Sequence, residues 1–280
     1  MGTGRTAGVA SGLAPSPVAD MDVQAYLQRI HCQAPLTPGA GGRGKDHPSI
    51  DLLRSLHRAH LFAVPFENLD IGLGREIICD EARILHKIVT EHRGGFCYEL
   101  NGAFAALLRA LEFRVTLLSG RVTGEDGNYG PEFDHLTLRV DLDEPWLADV
   151  GFGEGFLEPL RLEPGMEQAQ RERIYRLTRI DDGFVLEVMA EGRWKKEYAF
   201  TLQPRELSDF AGMCHYHQTS PDSHFTRQRI CSLATPEGRI TLSDEKLIET
   251  RGGTRQEELL SGEQEWRDKL RERFGVVLPQ

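Results

Sequence analysis

The chain has 280 residues, 40% of them hydrophobic and 27% charged, and a net charge of −10 from 43 acidic and 33 basic side chains. Those proportions describe an ordinary soluble protein long enough for two or three compact units. The scattered basic residues argue against a nucleic-acid partner, and the lack of a long apolar run argues against a membrane span. Five cysteines without a C-x-x-C pair read as reduced thiols in a cytoplasmic setting, not as a disulfide framework.

In chain order, residues 1–20 are rich in Gly, Ala, Ser and Pro, lack a secretory apolar core, and read as a disordered leader. Val23 to His31 follows as a short helix with Asp22 as its cap, then Pro35 to Lys45 as a loop rich in glycine and proline. Ser49 caps a second helix that carries Ile50, Leu53, Leu56 and His57 on one face and ends at Pro65. Asp80 caps a third, with Ile84, Leu85, Ile88, Val89 and His92 as its apolar stripe and Gly94-Gly95 as its stop. A fourth helix begins at Cys97, with Leu100, Phe104, Leu107, Leu108 and Leu111 at helical spacing. Residues 21–112 thus form a helical bundle.

The period then changes to two. Arg114 to Val122, Asp134 to Asp141, Pro145 to Val150, Arg173 to Ile180, Gly183 to Ala190 and Arg193 to Phe200 alternate as strands, with turns at Asp181-Asp182-Gly183 and Glu191-Gly192. Residues 113–204 are expected to curl into an antiparallel β-barrel. Residues 205–280 hold a histidine-rich loop, strands near Arg229 to Ala234 and Arg239 to Leu242, and an amphipathic helix from Ser261 to Phe274. The class is α+β.

The chemistry centres on Arg93-Gly94-Gly95-Phe96-Cys97-Tyr98-Glu99-Leu100-Asn101. A lone cysteine is ordinarily a small buried hydrophobe. Cys97 differs from Cys32, Cys79, Cys214 and Cys231 in following a double glycine and opening a helix, where free N–H groups and the helix dipole favour a thiolate. Alternation puts His135, Thr137 and Arg139 on the polar face of their strand, opposite Leu136, Leu138 and Val140. If the next hairpin is centred on Asp143, residue 135 faces 151 and Asp149 becomes a same-face diagonal neighbour of His135. Asp149 is flanked by Trp146, Leu147, Ala148, Val150 and Phe152, so it is expected to be buried and in need of a partner. A thiolate, an imidazole and a carboxylate are the parts of nucleophilic acyl transfer. Papain-like and transglutaminase-like enzymes also begin with a cysteine at a helix start. Phe66, Phe133 and Phe152, with Phe225, are candidates for an aromatic-accepting pocket, with core packing as the alternative for each. Cys214, His215, His217 and His224 match no structural zinc spacing, so no metal is expected.

Five motifs in order carry a resemblance: the Arg93–Asn101 segment, Val64-Pro65-Phe66-Glu67-Asn68-Leu69-Asp70, Asp134-His135-Leu136, Ala148-Asp149-Val150-Gly151-Phe152-Gly153, and Ser220-Pro221-Asp222-Ser223-His224-Phe225. From about Met21 to the C-terminus the chain resembles the arylamine N-acetyltransferases. The resemblance implies a helical bundle, a β-barrel and an α/β lid. It also implies a catalytic triad at Cys97, His135 and Asp149, acetyl-coenzyme A as acetyl donor, and an arylamine or arylhydrazine as acceptor. Gly153 and Phe225 match stretches bordering the cleft and the coenzyme, with Thr137 and Thr226 as further candidate contacts. Glu154 interrupts a run where many relatives have consecutive glycines. Glu67 and Arg93 match positions that pair to support the loop before the cysteine. A homodimer is a candidate assembly. An amide synthase acting on another acyl thioester, or a transglutaminase- or peptidase-like enzyme, is the alternative reading.

Overall fold

The computed structural model describes residues 21–33 and 48–279; the leader over residues 1–20 and the loop from Pro35 to Lys45 lie outside them. Helix α1 (Val23–Arg29) is capped by Asp22, whose carboxylate accepts from Ala25 N, and α2 (Ile50–Ala63) by Ser49, whose hydroxyl accepts from Leu52 N. A short strand β1 (Phe66–Glu67) leads into α3 (Leu69–Gly72). Helix α4 (Glu81–Leu85), capped by Asp80, runs on as a π-helical turn to Thr90. The helical segment thus stops at Thr90, short of Gly94-Gly95, and His92 just beyond it takes a φ of 53°. The two glycines are needed for something else, described below. Helix α5 (Cys97–Ala110) is buried all round from Cys97 to Leu108, which makes it the central element of the first core.

Strands β2 (Arg114–Val122), β3 (His135–Asp141), β4 (Pro145–Ala148), β5 (Leu160–Arg161), β6 (Gln168–Gln170), β7 (Arg173–Ile180), β8 (Gly183–Ala190) and β9 (Arg193–Thr201) form one antiparallel sheet in the order β5-β4-β3-β2-β9-β8-β7-β6. Its two edges are joined by side chains in place of a ladder. The Gln170 amide accepts from Leu157 N and Glu158 N at 2.9 Å and donates to Glu158 O at 2.7 Å, and the Gln168 amide makes the same kind of pair with Arg161 N and O. Two glutamines thus satisfy backbone groups that an open sheet would leave bare, and the sheet curls into a barrel.

After a 3₁₀ turn, α6 (Ala211–Thr219) occupies what reads in sequence as a histidine-rich loop. Strands β10 (Ile230–Thr235), β11 (Gly238–Ser243), β12 (Lys246–Arg251) and β13 (Thr254–Leu259) form the second sheet. Trp266, Leu270 and Phe274 of α7 (Glu263–Phe274) cover one of its faces, packing on Ile240, Leu242 and Leu247. The first strand of that sheet is β1, which pairs Phe66 with Ser232 and Glu67 with Cys231. The helical segment therefore lends a strand to the C-terminal layer, and this stitch draws the lid over the start of α5.

Candidate active site

Cys97 is placed by backbone crowding. Glu67 N donates to Gly95 O at 2.9 Å, Gly95 N donates to Pro65 O at 3.3 Å, and a Cβ at Gly94 would lie 1.9 Å from Pro65 O. Only glycine lets two backbones run this close. Glu99 Oε2 then accepts from Phe96 N at 3.1 Å, which satisfies a donor just ahead of α5. On the far side, a Cβ at Gly151 would meet Cys97 Cα at 2.8 Å, so the segment after Asp149 passes directly across the first turn of the helix.

Five charged side chains hold the loop from beneath. Arg93 bonds Glu67 Oε1 through Nε and Nη2 (2.9 and 2.8 Å) and Asp70 Oδ1 through Nη2 (2.9 Å). Lys87 Nζ bonds Asp70 Oδ2 at 2.8 Å and Glu99 Oε1 at 2.7 Å. Three carboxylates face two cations. Burial first, with repulsion from Glu67 and Asp70 adding and Lys87 opposing, raises the Glu99 carboxyl to about 6.

Across α5, Asp149 is the hub of a second network. Its carboxylate accepts from His135 Nε2 (2.6 Å), Tyr198 Oη (2.7 Å), Asn101 Nδ2 (2.9 Å) and Gly151 N (3.0 Å), which fills its acceptor sites. Burial opposes ionisation, but these donors and the His135 ring outweigh it and hold the carboxyl below its usual range. Asp149 N donates to His57 Nε2 at 3.1 Å, while His57 Nδ1 lies 2.9 Å from Leu157 O. Burial lowers His57 to about 4, so it stays neutral and acts as a fixed strut.

The β3–β4 hairpin is centred on Asp143, pairing Leu138 with Ala148 and Arg139 with Leu147. That register carries Asp149 onto the His135 face as the alternation predicts. The face itself differs from the reading: it is not a solvated polar face, for His135, Thr137 and Asp149 are all buried. Both sides of β3 are covered, one by α5 and one by the barrel interior.

The Asp149 bond occupies His135 Nε2 and leaves Nδ1 as the ring nitrogen available to the neighbouring Cys97 sulfur. Burial works against charge on the imidazole, yet Asp149 first and the Cys97 sulfur second outweigh it and raise the ring to about 10. The thiol departs from the expectation of a lowered pKa: burial pushes it up, and His135 is the strongest of the influences that pull it back. The sulfur therefore gives its proton to the imidazole or keeps it.

Cys97 and His135 lie in the wall of a cavity of ≈ 1100 Å³ between barrel and lid. Phe66, Phe152, Gly153 and Phe225 line it. Phe152 stands edge-on to His135 with ring centres 5.2 Å apart. Phe225 packs edge-on against Phe96 at 5.7 Å, and the Asn68 amide, donating to Phe225 O and Gln228 O, ties that loop to β1.

Three of the expected contact residues are placed elsewhere. The Thr137 hydroxyl is fully buried and engaged with Tyr198 Oη at 3.2 Å, so it braces the partner of Asp149 instead of meeting a coenzyme. Thr226 Oγ1 donates to Ser220 O and Ser223 O and serves its own loop. Phe133 turns to Phe210 and lies under Arg205, outside the cleft wall. Glu67 and Arg93 do pair, within the larger charge chain already described. Cys214 Sγ points to Ile77 O while His217 faces Asp134 and Ser223, so the candidate metal ligands diverge.

Sequence reading assigned no role to Asn101, Tyr198 or His57. Asn101 stands one turn after Cys97 on the same face, a spacing that points to it. Tyr198 reaches Asp149 only because β9 pairs with β2, which no local pattern reveals.

A family model described as N-acetyltransferase matches residues 49–280. The chain is 37% identical over 225 residues to an arylamine N-acetyltransferase / N-hydroxyarylamine O-acetyltransferase of Salmonella typhimurium, across 79% of this chain and 76% of that protein. It is 35% identical over 265 residues to an arylamine N-acetyltransferase of Mycolicibacterium smegmatis, across 92% of this chain and 93% of that one. A solved structure of Mycobacterium marinum arylamine N-acetyltransferase in complex with CoA superposes with a TM-score of 0.81 at 33% identity, over 91% of this chain and 93% of the other. Motif order, site geometry and these similarities agree, and the chain belongs to the arylamine N-acetyltransferase family.

Proposed function

We propose that the protein moves an acetyl group from acetyl-coenzyme A to the nitrogen of an arylamine or arylhydrazine, in two steps through acetyl-Cys97. The observation that carries this reading is a cysteine in a cleft wall beside an imidazole that a fully satisfied carboxylate holds in place. Cys97 attacks the thioester carbonyl as the thiolate, with its proton on His135. Collapse of the adduct breaks the old C–S bond, and His135 returns the proton to the departing coenzyme thiolate. In the second step the amine attacks acetyl-Cys97, His135 takes the proton the nitrogen loses, and the Cys97 thiolate is regenerated. The N–H of Cys97, in the first turn of α5 where no intrahelical acceptor exists, is the candidate backbone donor to the carbonyl oxygen. Phe66, Phe152 and Phe225 supply an aromatic wall for the acceptor. Five free cysteines fit a reducing, cytoplasmic setting.

Mixing the protein with acetyl-coenzyme A and no amine is expected to release one equivalent of thiol and to add one acetyl mass to the peptide carrying Cys97. The Cys97→Ala variant is expected to do neither. A protein that hydrolyses peptides and leaves Cys97 unacetylated sinks the proposal.

A further inference from the structure

Among the described residues, the cleft wall contains Asp126, Asp134, Glu154 and Asp222 but a single Arg or Lys, Arg239. Alternation along β11 explains its direction. Ile240 and Leu242 turn to the α7 core, so Arg239 and Thr241 stand on the opposite face, toward the cleft. Ser232 pairs with Thr241 on one side and with Phe66 on the other, and Phe66 bridges to Gly95, two residues before Cys97. The row from Gly95 to Ser232 is two strand spacings, roughly 10 Å.

The guanidinium is held but not neutralised. Arg239 Nη1 donates to Ser232 Oγ at 3.0 Å, and Ser232 Oγ lies 2.7 Å from Thr241 Oγ1. Among the described residues no carboxylate forms an ion pair with Arg239; the nearby Glu154 carboxylate is engaged by Arg173 Nη2 at 2.8 Å. Burial pushes the guanidinium down to about 10, with Glu154 opposing and Arg173 adding, as for a cation short of a counter-charge. A half-buried, hydrogen-bonded cation facing an otherwise acidic cavity is better satisfied when an anionic ligand completes it.

We propose that Arg239, with the hydroxyls of Ser232 and Thr241, forms an anion-binding position in this cleft, taking either a phosphate of the acetyl donor or the carboxylate of an acidic arylamine. The proposal rests on the acetyl-transfer reading above. Bidentate guanidinium contact suits both groups, and the Ser232–Thr241 hydroxyl pair, which spends one proton on its own bond, has one more to offer.

The test compares wild type with Arg239→Gln and Arg239→Lys over two donors, acetyl-coenzyme A and phosphate-free acetyl-pantetheine, and two acceptors, 4-aminobenzoate and its methyl ester. Loss of a charged hydrogen bond predicts that Arg239→Gln lowers kcat/KM about tenfold or more for the charged member of one pair relative to its uncharged counterpart. Arg239→Lys is expected to recover part of it. A selective loss with acetyl-coenzyme A, matched by weaker calorimetric binding of coenzyme A than of pantetheine, assigns the site to a donor phosphate. A selective loss with 4-aminobenzoate assigns it to the acceptor. Equal rates in all four combinations, or an equal loss in all four, overturns the proposal. A wild type that forms no acetyl-cysteine fails at the earlier step, and the transfer reading then falls together with this one.

Discussion

The two sides of α5 solve the same problem on different plans. Beneath the loop before Cys97, three carboxylates and two cations neutralise one another in a continuous chain. Behind His135, one carboxylate is surrounded by neutral donors and a single titrating ring. The first network fixes backbone, since its members end on Phe96 N and Leu69 N. The second fixes a proton, since every bond to Asp149 either stabilises its charge or orients the imidazole. Several paired charges give a rigid support, whereas one charge among neutral donors leaves the partner imidazole free to titrate.

That contrast is open to test by breaking each side in turn. Asp149→Asn is expected to give the largest effect. Removing the charge that raises His135 costs about 10³-fold or more in kcat, as loss of the orienting carboxylate does in other triads, with most of the fold retained because Asn still accepts hydrogen bonds. Single-turnover acetylation of Cys97 measures it, and a loss under tenfold would show that the carboxylate only packs. Arg93→Met breaks the other side. It strands Glu67 without its cation, leaves Asp70 with Lys87 alone, and is expected to lower stability by about 3–5 kcal/mol in urea titration, with the chemistry per folded molecule less affected.

The pH dependence of stability separates the two networks with a smaller signal. Glu99 is raised from 4.5 to about 6. A carboxyl raised in the folded state contributes stability that is full below the unfolded value and falls as pH rises, here by about 2 kcal/mol across that window. Glu99→Gln is expected to flatten this slope when melting temperature is followed from pH 4 to 6.5. His135, raised from 6.5 to about 10, gives a second decline at higher pH, with its stability present below 6.5 and lost as pH rises through about 10. Glu99→Gln leaves that second decline in place, and Asp149→Asn removes it. A single slope abolished by both variants would mean that the networks act as one.

Local pattern revealed a great deal where one physical rule dominates. The Asp143-centred hairpin follows from alternation and turn length, and it carried Asp149 to His135. Helix starts at Val23, Ile50 and Glu81 follow from Asp22, Ser49 and Asp80. The β12–β13 hairpin was illegible for the opposite reason. Its last strand, Thr-Arg-Gln-Glu-Glu-Leu, is exposed throughout, so no apolar alternation marks it, and only the positive-φ turn at Gly252-Gly253 hints at a reversal. The barrel seam was hidden because glutamine side chains replace a strand.

By itself the sequence determined which side chains are chemically equipped for acyl transfer. A double glycine before a helix, a histidine and an aspartate on neighbouring strands, and aromatic residues between them are local facts, fixed by spacing and by what each residue type can do. Tertiary structure decided their surroundings: that β1 crosses to the lid sheet, that Tyr198 and Asn101 complete Asp149, that the Thr137 hydroxyl is buried against Tyr198, and that Arg239 lines the cleft. Such matters depend on which distant segments meet. Burial sets the cost of every unpaired charge, and burial is a property of the assembled chain.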